Sequence, residues 1–418
     1  MRGDDAGAVA AAGARRLPLL ALLCANGVSL VGSQVSIIAI PWFVLQTTGS
    51  AARVGLTGAV QGVSYIAAAL LGGVVVDRVG FKRASVAADL GSGTAIAMIP
   101  LLLAVAGLAF WQFLVLVFLA TACNTPGSAA RQSLLPDLAA RARVGLERAT
   151  TADRGIMHGA LLVGPLLGGI LIALVAASQA LWVDAASFGI SAAAIGLLVP
   201  PAVPAGRAAP GPAGMLDGVR VVGRQHLILA LALLLAFVNA IGSMLFGVVL
   251  PVFAERVLHS GLGLGALVAA DGAGAVVGTL AFGAFGPGRS RRRLLVLGFA
   301  ASGGALAVLA ASRALPLGLA MMFVDGLALG AIGPLIYTVY QERIPVELRG
   351  RTFGAIFAVQ RLGAPFGALL AGLALARVSP RALLAVVAVG SLLVPLAVLL
   401  APPFRRIDPL PTGATIAE

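Results

Sequence analysis

Several ionisable side chains lie within long apolar stretches of the sequence, among them Asp89, Asp184, Asp271, Asp325 and Arg361. Burial of an ionisable group in apolar surroundings is costly, so such residues are candidates for function. A buried carboxylate can take up and release protons near neutral pH, or a basic partner can neutralise it. Asp271 and Asp325 are best placed for proton exchange, because both are expected near the middle of their stretches. Arg361 could instead form a structural ion pair with one of them, and both interpretations stay open here.

The composition around these residues is that of a membrane protein. Hydrophobic residues make up 60% of the chain and charged residues 11%, against about 25% charged residues in soluble domains. Soluble enzymes, disordered proteins and nucleic-acid-binding modules need a more polar surface than this chain can supply. The net charge of +13 is therefore attributed to basic loops on the cytoplasmic side of a membrane, and no nucleic-acid partner is expected.

Twelve apolar runs have about the length that crosses a bilayer as a helix, six before and six after a proline-rich break. None alternates with the period of two that is typical of barrel strands, so we predict an all-α membrane protein with twelve transmembrane helices. The runs cover residues 17–45, 52–76, 84–106, 109–128, 149–176, 180–198, 227–253, 262–285, 294–311, 317–339, 353–376 and 383–400.

The break divides the chain into two halves. Residues 1–199 are predicted to form one six-helix bundle and residues 226–418 a second. The segment between them, 200–225, is rich in Pro, Gly and Ala and resists regular structure, so it is predicted to be a cytoplasmic linker. Its end, from Met215 to His226, is amphipathic and is expected to lie along the membrane surface.

The distribution of basic residues predicts the orientation of these helices. With the amino terminus in the cytoplasm, the termini and the even-numbered loops hold most of the arginines, including Arg131 in the loop after the fourth run. The outer loops hold only Arg53, Arg256, Arg313, Arg377 and Arg381. Basic residues concentrate on the cytoplasmic side of membrane proteins, so both termini are predicted to be cytoplasmic in a multi-pass protein of the plasma (inner) membrane.

The loop between the second and third helices reads Gly73-Val-Val-Val-Asp77-Arg78-Val-Gly80-Phe-Lys82-Arg83. It resembles the G-x-x-x-D-R-x-G-R-[KR] motif of the major facilitator superfamily and departs from it only at Phe81, where Arg is usual. The resemblance covers nearly the whole chain and implies a fold of two pseudo-symmetric six-helix bundles. In that family the loop acts as a conformational latch, and we expect Gly73, Asp77, Arg78, Gly80, Lys82 and Arg83 to form it here. Arg349 and Arg351 are the expected receiving site for Asp77.

Helix five carries a second family motif, Gly164-Pro165-Leu-Leu-Gly168-Gly169. It resembles the G-P-x-x-G-G motif of exporters (antiporters) in the superfamily, and further stretches resemble the branch that exports drugs, macrolides and siderophores. Proline and glycine would let the helix bend and pack closely, but an ordinary packing site has the same composition. Because of two departures from the pattern, the family's proton-coupling residues do not carry over to this chain. Ser33 stands where relatives often have Asp, and no exporter-type arginine is evident near Ala120 in helix four.

The remaining acids and several polar residues complete the predicted sites. Asp89 is a further candidate for proton coupling, with a structural pairing near the latch as the alternative, and Asp184 is expected near the outer rim as a helix-start group. The candidates for the substrate cavity are Asn26, Ser33, Gln34, Asn239 and Gln360. Hydrogen bonds between helices would account for these polar residues equally well.

These observations and the resemblance together imply a secondary active transporter that exports amphipathic or lipophilic small molecules in exchange for protons by alternating access. Its expected partners are the substrate, protons and the lipid bilayer, and it is expected to act as a monomer without a cofactor or metal. An uptake symporter of the same fold is the first alternative. A membrane-embedded enzyme or lipid-handling protein is a more remote alternative, since we identify no catalytic residues.

Overall fold

The computed structural model describes residues 2–200, 220, 222–223, 225–286, 288–312, 314–344 and 348–408, with the side chains of 2–15, 73–74, 77 and 349–351 left out. The predicted linker at 200–225 lies almost wholly outside these residues, as do most residues of its amphipathic end.

Twelve helices in the described part of the chain are long and apolar enough to cross a membrane, and no strand occurs there. The predicted all-α class and the number of spans are confirmed. In the first half they are α1 (Arg2–Thr48), α2 (Ala51–Val79), α3 (Phe81–Val105), α4 (Phe110–Arg141), α5 (Leu146–Leu174) and α6 (Ala177–Leu198). In the second half they are α7 (His226–Leu258), α8 (Gly261–Phe285), α9 (Arg291–Ala311), α10 (Leu315–Arg343), α11 (Arg349–Ala374) and α12 (Pro380–Leu400).

Short polar caps and one glycine set several of the helix boundaries. The hydroxyl oxygens of Ser50, Ser290 and Ser379 accept hydrogen bonds from backbone N–H groups in the first turns of α2, α9 and α12, which satisfies donors that a helix start leaves open. Gly80 joins α2 to α3 with a φ of 86°. Residues with a side chain rarely adopt this backbone conformation, so the turn favours glycine.

The chain forms two compact units. The first comprises Met1–Ala209 and His259–Ala269, and the second comprises Pro210–Leu258 and Ala270–Glu418. In the first unit α1 packs on α5 and α6, and α3 packs on α4 and α6. In the second unit α7 packs on α11, and α9 packs on α10 and α12. Each of these pairs in the second unit corresponds to a pair six helices earlier, as expected for a duplicated six-helix unit.

Each unit has an apolar core. In the first unit, buried residues of α1, α4 and α6, such as Leu22, Leu134 and Ile195, pack together. In the second unit, the core includes Leu231 of α7 and Phe299 of α9. These cores hold the helices in place around the polar side chains described below.

Helix α4 is longer than the sequence predicted, and this corrects the position of Arg131. The apolar run ends at residue 128, but the helix continues to Arg141, so Arg131 is a helical residue rather than a loop residue. Its exposed fraction is only 3%. The loss of apolar character after residue 128 therefore marks a buried arginine and exposed polar residues such as Gln132 and Asp137, and not the end of the helix.

Candidate functional site

A buried ion pair lies in the first unit. Arg131 Nη1 donates to Asp89 Oδ1 at 2.6 Å, and the two side chains are 3% and 1% exposed. Arg131 Nε donates to Asn26 Oδ1 at 3.1 Å, and Asn26 Nδ2 in turn donates to Asp153 Oδ1 at 2.9 Å. Ser191 Oγ donates to Asp89 Oδ2 at 2.6 Å. This Arg131 network connects α1, α3, α4, α5 and α6.

The network assigns partners to two residues that the sequence singled out for other roles. Asp89, a candidate for proton coupling, is neutralised by an arginine, and Asn26, a candidate cavity residue, connects that arginine to Asp153. The sequence prediction does not include this role of Arg131, because it ends the fourth helix at residue 128. A signal was available, since Leu134, Leu135 and Leu138 follow Arg131 at the helical spacing i+3, i+4 and i+7.

A second buried acid of the first unit, Asp184, faces a cavity. Its side chain is 2% exposed; Ser36 of α1 donates to Oδ2, and Ser187 of α6 donates to the Asp184 backbone carbonyl at 2.7 Å. The prediction that Asp184 is a helix-start group at the rim is wrong. Helix α6 already begins at Ala177, and the carboxylate is buried against α1.

The cavity beside Asp184 has a volume of about 210 Å³ and lies among α1, α2, α3, α4 and α6. Its polar lining comprises Ser33, Ser36, Gln61, Tyr65, Thr121, Asn124, Thr125, Ser128 and Asp184. Its apolar lining comprises Ile37, Ile40, Ile96, Ala120 and Phe188. Among the predicted cavity residues of the first unit, Ser33 lines this space, whereas Gln34 packs against Gly164 of α5. A mixed polar and apolar lining suits the binding of amphipathic small molecules.

The second unit brings Asp271 of α8 and Asp325 of α10 together. Their carboxyl groups are in hydrogen-bonding contact, and Ser302 Oγ of α9 donates to Asp325 Oδ1. Asp325 is 1% exposed and also lines a small cavity of about 60 Å³. No cluster of three or more His, Cys, Asp or Glu side chains that could hold a metal ion occurs among the described residues.

Glycines on α8 and α10 explain the contact between Asp271 and Asp325. A Cβ added at Gly274 or Gly278 of α8 would overlap the backbone of α10, and one added at Gly326 or Gly330 of α10 would overlap the backbone of α8. Each helix thus presents a G-x-x-x-G pair, which lets membrane helices approach closely. Asp325 immediately precedes Gly326, so the same approach brings its carboxyl group to α8.

Two of the other residues predicted for the second unit donate hydrogen bonds to groups other than the two acids. Gln360 Nε2 donates to the Tyr340 hydroxyl at 3.2 Å, and Asn239 Nδ2 donates to Leu235 O of its own helix at 2.8 Å. Arg361 has an exposed side chain on α11. Neither Asn239 nor Gln360 is among the residues that line the cavity beside Asp325.

The predicted latch is described in part. The side chains of Gly73, Asp77, Arg349 and Arg351 lie outside the described residues, so the expected pairing of Asp77 stays a prediction. Arg78 and Arg83 are exposed and Lys82 is half-buried, on either side of the turn at Gly80.

The glycines of the predicted antiporter motif in α5 mark close helix contacts within the first unit. A Cβ at Gly164 would overlap Cβ of Gln34 in α1, and one at Gly168 would lie 3.2 Å from Ile38 Cβ, also in α1. A Cβ at Gly169 would lie 2.9 Å from Gly261 O at the start of α8. Pro165 is inside the helix, where it removes a backbone hydrogen bond.

Replacing Gly164 by alanine is expected to lower the free energy of unfolding by about 1–3 kcal/mol, because the added methyl group overpacks the contact with α1. Thermal unfolding of the detergent-solubilised protein measures the change. Gly159→Ala is the matched control in the same helix, since a Cβ there has no heavy atom within 4 Å, and we expect it to leave stability unchanged or to raise it by up to about 1 kcal/mol. Equal stability of the two variants would contradict the α1–α5 contact.

Comparison with known proteins agrees with this architecture. The family model of the Major Facilitator Superfamily matches residues 22–237 and 232–417. The chain is 33% identical over 365 residues to the multidrug efflux pump Tap of Mycobacterium tuberculosis, covering 85% of this chain and 87% of that protein. It is 30% identical over 370 residues to Tap of Mycolicibacterium fortuitum, covering 86% and 89%.

Solved structures show the same fold at much lower sequence identity. The nucleoside transporter NupG superposes with a TM-score of 0.73 at 12% identity, covering 91% of this chain and 98% of that chain. An inward-facing bacterial homologue of the human lysosomal transporter Spinster gives a TM-score of 0.70 at 17% identity, covering 94% and 95%. With two matched regions that together span nearly all of its twelve helices, the chain belongs to the major facilitator superfamily.

Proposed function

We propose that this membrane protein is an efflux transporter that exports amphipathic or lipophilic small molecules in exchange for protons. Relatives that match over 85% of the chain are multidrug efflux pumps, which supports export of drug-like compounds. Support for the coupling ion comes from the contact between Asp271 and Asp325. Two carboxyl groups this close repel each other unless a proton lies between them, so the pair is suited to bind and release one.

The proposal extends to the arrangement in the membrane. We infer that both termini are cytoplasmic, because that orientation puts most of the arginines of the termini and loops on the cytoplasmic side. We also propose that the transporter works as a monomer in the plasma (inner) membrane. It is proposed to act by alternating access and without a cofactor. Green fluorescent protein fused to either terminus should be fluorescent, and alkaline phosphatase fused to either terminus should be inactive. Active alkaline phosphatase together with non-fluorescent green fluorescent protein would reject the orientation.

An uptake symporter of the same fold is the competing function, and a flux experiment separates the two. Purified protein is reconstituted into liposomes with a pH gradient of either sign, and uptake of the fluorescent cation ethidium and of a neutral drug is followed. An antiporter accumulates the compound when the vesicle interior is acidic, whichever way the protein is inserted. We expect this result, with release of the compound when nigericin collapses the gradient. Accumulation only when the exterior is acidic would establish symport and overturn the proposal.

A further inference from the structure

The acids buried within the helices differ in the side chains that contact their carboxyl groups. Asp89 contacts the guanidinium of Arg131 at 2.6 Å, and Asp271 and Asp325 contact each other. The side-chain donor to the Asp184 carboxylate is the hydroxyl of Ser36, since the Ser187 hydroxyl donates to the Asp184 backbone carbonyl. Hydroxyl donors stabilise a carboxylate but do not cancel its charge, and an uncompensated charge inside a membrane is expensive.

The cavity that Asp184 faces contains no basic residue among the described residues that line it. A carboxylate has room for about four hydrogen bonds, so the Ser36 hydroxyl leaves acceptor capacity for a donor inside the cavity. Gln61 and Asn124 add amide groups, and Ile40 and Phe188 add apolar surface. The site thus combines a carboxyl group, which a cation would hold in its ionised form, with a wall that suits an alkyl or aryl group.

We propose that this cavity binds organic cations, with Asp184 as the counter-ion of a substituted ammonium group and the apolar wall against the attached ring or chain. The volume of about 210 Å³ suits the ammonium-bearing end of a drug rather than a whole one, since complete drug sites measure roughly 300–1,000 Å³. The inference rests on the proposed function for the transport of such compounds, but the binding itself requires no gradient.

Two probes of the same shape and different charge test the proposal. Benzyltrimethylammonium carries a permanent positive charge, and neopentylbenzene replaces its nitrogen by carbon. Their binding to the full-length protein in nanodiscs is titrated by saturation-transfer-difference NMR. We expect the wild type to bind the ammonium compound at least tenfold more tightly than the neutral one. Equal affinity of the wild type for the two compounds would overturn the proposal.

Variants then locate the site. Asp184→Asn should reduce the preference for the ammonium compound to less than twofold, while Glu147→Gln, which changes an exposed carboxylate at the start of α5, should keep it. Ser33→Leu fills the cavity without removing Asp184 and should weaken binding of the ammonium compound at least tenfold. It also keeps the test decisive if Asp184→Asn does not fold. A preference that survives in Asp184→Asn, or unchanged binding in Ser33→Leu, would refute the assignment.

The binding data and the flux data can fail independently. A charge preference that depends on Asp184, in a protein that shows no gradient-driven flux in liposomes, would leave the cation site standing and reject the proposed export. Proton-driven export by a protein that shows no charge preference in binding would support the proposed export and reject the cation site.

Discussion

Replacing Arg131 by methionine should lower the free energy of unfolding by about 3–5 kcal/mol, the largest change in stability that we expect from a single substitution in this chain. The substitution leaves the Asp89 carboxylate, whose side chain is 1% exposed, as an uncompensated charge. It also removes the donor to Asn26, so the hydrogen bond from α4 to α1 is lost. Thermal unfolding in detergent, followed by loss of the monodisperse species, gives the change in stability.

A matched control and a compensating variant separate the ion pair from the mere loss of an arginine. Arg141→Met removes an exposed arginine at the end of the same helix and should change stability by less than about 0.5 kcal/mol. The double variant Arg131→Met/Asp89→Leu removes both charges, and we expect it to recover part of the loss, since apolar residues can replace a buried ion pair at little cost. If Arg131→Met is as stable as Arg141→Met, the Arg131 network does not support the fold.

The number and class of the helices could be predicted because they depend on local properties. A run of about 20 apolar residues is sufficient to indicate a membrane helix, and the first ends near Leu45 and the last near Leu400 in both the sequence and the structure. The end of a helix that continues beyond its apolar run is harder to predict. Helix α4 continues through Arg131 because its polar side chain has partners on α1 and α3, and hydropathy along the chain does not report partners.

The candidate sites illustrate the same limit. Asp271 and Asp325 were singled out from their position in apolar runs, but their mutual contact depends on the glycines of α8 and α10. These glycines form G-x-x-x-G pairs that are visible in the sequence, although nothing in the sequence says that they face each other. The prediction for Asp184, a helix-start group, rests only on its position near the end of an apolar run. That position does not reveal that Ser36 and a cavity lie beside the carboxyl group. Pairing across helices is a tertiary property.

Asp271→Asn and Asp325→Asn should each abolish gradient-driven transport in liposomes, a loss of at least tenfold that brings accumulation down to that of empty vesicles. The contact between the two acids explains why both substitutions act. An asparagine amide can donate a hydrogen bond to the remaining carboxylate, as a protonated aspartic acid does, but it cannot release a proton. The pair is then held in one state, and the proton gradient has no group through which to drive the exchange.

A second readout distinguishes lost coupling from a damaged protein. Exchange of labelled for unlabelled ethidium across the liposome membrane needs no net proton movement, so we expect both variants to retain it within about threefold of the wild type while accumulation is lost. Glu147→Gln, a carboxylate-to-amide change at an exposed position of α5, should leave both activities intact. Accumulation at the wild-type level in both aspartate variants would show that the proton is carried elsewhere. Loss of exchange together with accumulation would indicate that the pair supports the packing of α8 on α10 rather than the coupling.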